Sequence, residues 1–189
     1  MPVIARRFVT LPAALVLFVS ACGDSYEPSE PGQFTATISG DVERELAGQA
    51  AFRHDLLSSG VGNAFLLTQV DGADRVVHSV SLYRWSDAPI TPGTYRIILG
   101  DEPDATDEDF SGAVVLDATG TAGPYSCLAE RGSVRIAHAS PQRIEGSFEL
   151  SGHCGLPAAE RLIIPFDAEG SFTAVPGAFG PPETAPGAH

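Results

Sequence analysis

A period of two is the strongest constraint on this chain. Residues 143–150 show it most cleanly: Ile144, Phe148 and Leu150 alternate with Arg143, Glu145, Ser147 and Glu149, and Gly146 falls on the apolar side. Successive side chains of a strand point to opposite faces, so this spacing puts an apolar row inward and a polar row outward. A glycine in the apolar row marks a bulge or a close backbone approach. Residues 34–39 repeat the pattern, with Phe34, Ala36 and Ile38 on one face and hydroxyls on the other. Residues 46–52 resume it after the Gly40-Asp41 turn, and the two runs predict a first hairpin.

Further runs follow at 64–69, 76–85, 94–99, 112–117, 133–138, 161–166 and 171–175. Turn chemistry separates them: Asp71-Gly72, the Pro-Gly reversal within 88–93, and 167–170. Residues 53–60 read as a loop or short helical turn. Residues 118–132 read as a long turn-rich connection that holds Cys127. In 76–85 one row is Val76, His78, Val80 and Leu82, and the other is Val77, Ser79, Ser81, Tyr83 and Trp85. About ten short strands with no helical period predict an all-β, antiparallel domain, either a β-sandwich or a β-barrel.

The start of the chain has a different pattern. Arg6 and Arg7 precede a short, mostly apolar run, Phe8 to Ala21, that ends in small residues. Those are the three parts of an export signal. Crossing a bilayer takes roughly 20 apolar residues, and Pro12 interrupts this shorter run. Val19-Ser20-Ala21-Cys22 resembles the bacterial lipobox. The resemblance implies cleavage before Cys22, a diacylglycerol on its thiol and an acyl chain, with palmitate as the expected one, on its new amino group. Two or more chains hold a soluble domain stably on a bilayer. Gly23, rather than an acid, follows the Cys; by the same resemblance this favours the outer membrane where the host has one.

The expected organisation is a signal peptide over 1–21, a lipidated Cys22 with a polar tether over 22–32, a β-domain over 33–175, and a disordered tail over 176–189. Prolines and acids keep the tether extended. The tail is rich in Pro, Gly and Ala.

Net charge is −13 at pH 7, and every basic residue is Arg. Such a surface repels phosphate backbones, so nucleic acid is not an expected partner. Besides Cys22 the chain holds Cys127 and Cys154. Outside the cytoplasm disulfides persist, so these two are expected to pair. The competing reading is a metal site of Cys127, His153 and Cys154, but adjacent ligands are poor zinc spacing.

The other candidate for chemistry is acidic. Asp101, Glu102, Asp104, Asp107, Glu108 and Asp109 crowd one loop between strands. Asp101, Asp104, Asp107 and Asp109 are candidate calcium ligands, although the order lacks the EF-hand spacing and its central Gly. The alternative is a solvated loop that blocks edge association. His78 and His138 are expected on inward strand faces as hydrogen-bonded residues; His54, His153 and His189 fall in loops or the tail. Tyr83, Trp85 and Tyr95 are read as core, with a binding surface as the alternative. No nucleophile elbow is present, and a Ser-x-x-Lys motif is impossible without lysine. A triad or carboxylate pair assembled from distant residues stays open. No cofactor is expected.

Across 33–175 the chain resembles a broad group of uncharacterised bacterial β-rich lipoproteins. The shared features are the lipobox, the tether, Phe-Thr-Ala-Thr-Ile-Ser-Gly at 34–40, Pro-Gly-Thr-Tyr at 92–95 and Ile-Glu-Gly-Ser-Phe-Glu-Leu at 144–150. The group brings no catalytic residues to transfer. The expected function is a membrane-anchored envelope lipoprotein, a non-enzymatic structural or interaction domain that contacts envelope proteins or a small ligand. The alternatives are a small-ligand or calcium-binding module and a hydrolase with a nonlocal site.

Overall fold

The inward rows of the strands meet in a closed barrel. A computed structural model describes residues 30–54, 62–99, 102–118, 124–155 and 163–177. Nine strands make one sheet: β1 (Gln33–Gly40), β2 (Arg44–Arg53), β3 (Asn63–Val70), β4 (Val76–Arg84), β5 (Gly93–Ile98), β6 (Phe110–Leu116), β7 (Tyr125–Ala139), β8 (Ile144–Gly155) and β9 (Ile163–Pro176). Their order is β1-β2-β3-β4-β6-β5-β7-β8-β9, and β9 returns to β1. The pairing is antiparallel except for two short parallel contacts, Ala51↔Val175 with Phe52↔Pro176, and Ile97↔Phe110. Closure removes the unpaired edges that would invite aggregation. Among the described residues no helix is long and apolar enough to cross a membrane.

The barrel has two distinct ends. β1, β3, β5, β6 and β8 start at one end, and β2, β4, β7 and β9 finish there. Gly32, Arg53, Asn63, Arg84 and Pro176 mark it through their pairings. We call this the tether end, because the chain enters β1 there through Gly32 and Gln33. The far end carries the β1–β2 and β3–β4 turns. Asp71 builds the second of these: its carboxylate accepts from the Ala73 and Arg75 N–H groups and from the Arg75 guanidinium. Hydrogen bonding from Arg75 holds its pKa at about 2.

His153, expected in a loop, lies in β8, and three further expectations need correction. Cys127 does not lie in a turn-rich connection, because β7 runs for 15 residues from Tyr125. Gly132, read as a turn residue, sits inside that strand at φ 152°, where a Cβ would lie 2.0 Å from the Glu149 carbonyl. The residues 167–170 are not a turn either; β9 is one strand of 14 residues. Gly170 faces inward, and a Cβ there would meet the Phe148 ring at 2.7 Å and the Thr35 carbonyl at 2.5 Å. It is a small residue that a large neighbour requires. Gly146 makes the reciprocal space for Phe172, whose Cζ would be 2.9 Å from an added Cβ. The third correction concerns His138. A bulge between Ile136 and His138 shifts the register and leaves this histidine exposed instead of inward.

Large and small residues therefore interlock across the interior. Phe34, Phe65, Phe110, Phe148, Phe166 and Phe172 are all buried. Phe172, Phe65, Phe110 and Tyr95 form a chain of rings through the tether-end half, with successive centroids 5.0, 6.1 and 5.5 Å apart. Side chains fill this barrel, as expected at such strand numbers. Cys127 and Cys154, directly opposite on β7 and β8, are joined by a disulfide at S–S 2.03 Å. That bond removes the zinc alternative, and His153 instead meets Glu130 at 2.8 Å.

β5 and β6 run in the same direction along β7. β6 pairs with residues 125–128 and β5 with residues 131–136. β5 ends at Ile98 and β6 starts at Phe110, the partner of Arg84, so the described acidic residues 102–109 lie at that level.

Candidate functional site

The inward row of β4 does not stop at Leu82. Two residues on, Arg84 continues it and is only 1% exposed. Alternation alone points to this residue; charge argues against burial, so sequence reasoning passes over it. Its guanidinium lies 5.3 Å from the Tyr95 ring centroid and 6.0 Å from that of Phe110. It caps the aromatic chain at the tether end.

Buried charge needs partners. Arg84 Nη1 donates to Glu108 Oε2 at 2.6 Å, and Nη2 donates to the Ala88 carbonyl at 2.5 Å. Nε is buried with no hydrogen-bond partner. Glu108 comes from the acidic loop and keeps a side chain 61% exposed. The Ser86 hydroxyl donates to Glu108 Oε1 at 3.2 Å and accepts from the Ala88 N–H. Asn63, buried on β3, donates to the Ser86 and Ala88 carbonyls, both at 3.0 Å, and its Oδ1 lies 2.8 Å from His54 Nδ1. Together these groups strap residues 85–92 over the barrel mouth, where Ile90 packs on the core.

The acidic loop has a second clamp. Arg96 on β5 reaches Asp104 at 2.6 Å and Asp109 at 3.0 and 3.1 Å. Its hydrogen bonds hold the Asp109 pKa at about 2 and push that of Asp104 below the usual carboxylate range. The same bonds raise the Arg96 pKa, Asp109 contributing most. Asp107 is exposed. Asp101 and Cys22 lie outside the described residues. Two of the calcium candidates thus hold an arginine. Among the described residues no three acids, histidines or cysteines converge well enough to hold a metal ion.

Trp85 also differs from its expected place in the core. It is 45% exposed and packs edge-on against Tyr83 at 6.1 Å on the outside of β4. Tyr95 packs against the core and donates its hydroxyl to the Thr91 carbonyl at 2.8 Å.

At the far end, His78 does face inward. Its Nδ1 accepts the Asp117 N–H at 3.1 Å, which requires the neutral ring, and burial lowers its pKa against the opposing pull of Asp117. Arg44 holds Asp117 at 3.2 Å.

Outside the barrel, a shallow groove crosses β8, β9, β1 and β2, lined by Glu45, Glu149, Glu169, Thr37 and Gln69 among others. Glu149 and Glu169 are direct cross-strand neighbours, an arrangement that is destabilising by itself. In the polar cluster at the tether end the Ser86 hydroxyl donates to a carboxylate, and the Thr91 and Tyr95 hydroxyls lie within hydrogen-bond distance of each other. Among the described residues no serine is hydrogen-bonded to a histidine. What the cluster does chemically is neutralise charge and satisfy the backbone of the strap. Comparisons with protein-family models, curated proteins and solved structures return no significant match.

Proposed function

We propose that this chain is an exported lipoprotein, fixed to a membrane of the bacterial envelope through lipid on Cys22, whose barrel serves as a non-enzymatic structural or interaction domain. The observation that carries this reading is the lipobox Val19-Ser20-Ala21-Cys22, at the end of a short apolar run behind Arg6 and Arg7. The disulfide supports it, because such bonds persist in oxidising compartments. The outer wall supports it too. Arg44, Glu45, Arg135, Glu149 and Glu169 point outward, while the apolar rows fill the interior. A barrel that spans a membrane has the reverse arrangement, an apolar band outside. This wall faces water, and the lipid makes the attachment.

Partners on this reading are the membrane, through the lipid, and other envelope proteins; the outer membrane is the favoured location where the host has one. The inward apolar side chains pack as one buried cluster, which favours a filled barrel over the ligand-in-barrel alternative. The test is fractionation of the full chain expressed in a bacterial host. Wild type should sediment with membranes and carry the mass of a diacylglycerol on Cys22. Cys22→Ser should be soluble. Membrane partition that survives Cys22→Ser would refute the anchor.

A further inference from the structure

An anchor at Cys22 does not by itself say which way the domain faces, but the position of β1 does. Gly32 accepts a hydrogen bond from the Ala50 N–H at 3.0 Å, and Gln33 pairs with Gln49 and Thr173. The tether therefore enters the wall at the end marked by Asn63 and Arg84. Residues 22–32 span at most about 35 Å when fully extended. The barrel is comparably tall: β9 has 14 residues, which at ~3.3 Å each and a tilt of about 40° gives ~35 Å. Only a tether drawn out along the whole wall brings the far end to the bilayer. The near end needs no such extension.

The near end also carries a residue suited to headgroups. Trp85 is the single tryptophan of the chain, 45% exposed, with Tyr83 beside it. Rings with an apolar body and a polar N–H or O–H favour the membrane–water interface. The far end offers a rival surface, the exposed Val70 and Val76 of the β3–β4 hairpin with Leu128 near the start of β7 and Ile163 at the start of β9, the last being 71% exposed. Tether length decides between them.

We infer that the barrel stands on the bilayer by its tether end, with Trp85 at the headgroups and the β1–β2 and β3–β4 turns presented away from the membrane. This rests on the lipid anchor proposed above. The Arg84–Glu108 strap then lies in the gap between barrel and lipid. The acidic loop at that level makes the fit best on a zwitterionic surface, since anionic lipid would repel it.

The experiment uses the full lipidated protein reconstituted into phosphatidylcholine vesicles, with or without headgroup-level nitroxide lipid. Sedimentation with vesicles is measured on the same samples. Trp85 fluorescence should fall at least twofold with the quencher. Far-end reporters, Val76→Trp and Val70→Trp in a Trp85→Phe background, should fall little. Two reporters guard against one that disturbs the hairpin. If the protein sediments but the far-end tryptophans are quenched as much as Trp85, the orientation is wrong and the anchor stands. If the wild type does not sediment, the anchor reading fails and the orientation with it.

Discussion

Removing either member of the Arg84–Glu108 pair should have very unequal effects. Arg84 is 1% exposed, whereas the Glu108 side chain is 61% exposed. Glu108→Ala leaves a guanidinium buried against Tyr95 and Phe110 with no counter-charge. Breaking a buried pair this way costs about 3–5 kcal/mol; the solvent at Glu108 screens part of that, which leaves about 2–3 kcal/mol. Arg84→Met instead leaves a carboxylate that water can solvate. The Ala88 carbonyl keeps its bond from Asn63, and a thioether suits the two rings. The loss there should stay within about 1 kcal/mol, mostly the cation–π term. Thermal unfolding reads both, at about 4 °C per kcal/mol for a domain of this size. Glu108→Ala should melt about 8–12 °C below wild type, and Arg84→Met within about 4 °C of it. The double variant should be more stable than Glu108→Ala alone. A Glu108→Ala protein that melts with wild type, or an Arg84→Met protein that melts lower than Glu108→Ala, would refute the buried-charge reasoning.

The disulfide closes a separation of 27 residues, so Cys127→Ala with Cys154→Ala should lower stability in urea by about 3–4 kcal/mol in the chain-entropy account. Both sulfurs are buried, at 0% and 1% exposure, so reductant should add mass only under unfolding conditions. His78 is held neutral, with its pKa below the ordinary 6.5. The unfolded chain then binds the extra proton, so this contribution is complete above pH 6.5 and is lost as the pH falls below it. Urea midpoints between pH 5 and 7 should flatten in His78→Gln, and an unchanged slope would count against the Asp117–His78 contact. Gly170→Ala should lose about 1–3 kcal/mol, because the new methyl meets Phe148 and the Thr35 carbonyl; an unchanged melting temperature would mean that the wall yields there.

Alternation made β1, β4 and β8 legible, since one buried face repeats every second residue whatever surrounds it. It also placed Val80 and Leu82 inside. It failed where a local signal had a distant cause. Gly132 and Gly170 read as turn residues because glycine permits turns. In fact each makes room for a group on the neighbouring strand, the Glu149 carbonyl for one and the Phe148 ring for the other. His138 was misplaced because one extra residue in a bulge reverses every side chain after it. Merging the runs on either side of Gly170 turned about ten expected strands into nine.

By itself the sequence determined the all-β class, the antiparallel hairpin of β1 and β2, and the two cysteines free to pair, because these depend on period and composition. Only the tertiary structure decided barrel over sandwich, since closure is the meeting of β9 with β1, far apart in the chain. It alone turned part of the acidic loop from a calcium candidate into the partner of Arg84 and Arg96. A buried arginine is tolerable only where a distant carboxylate is delivered to it, and delivery is a property of the folded wall, absent from any local run of residues.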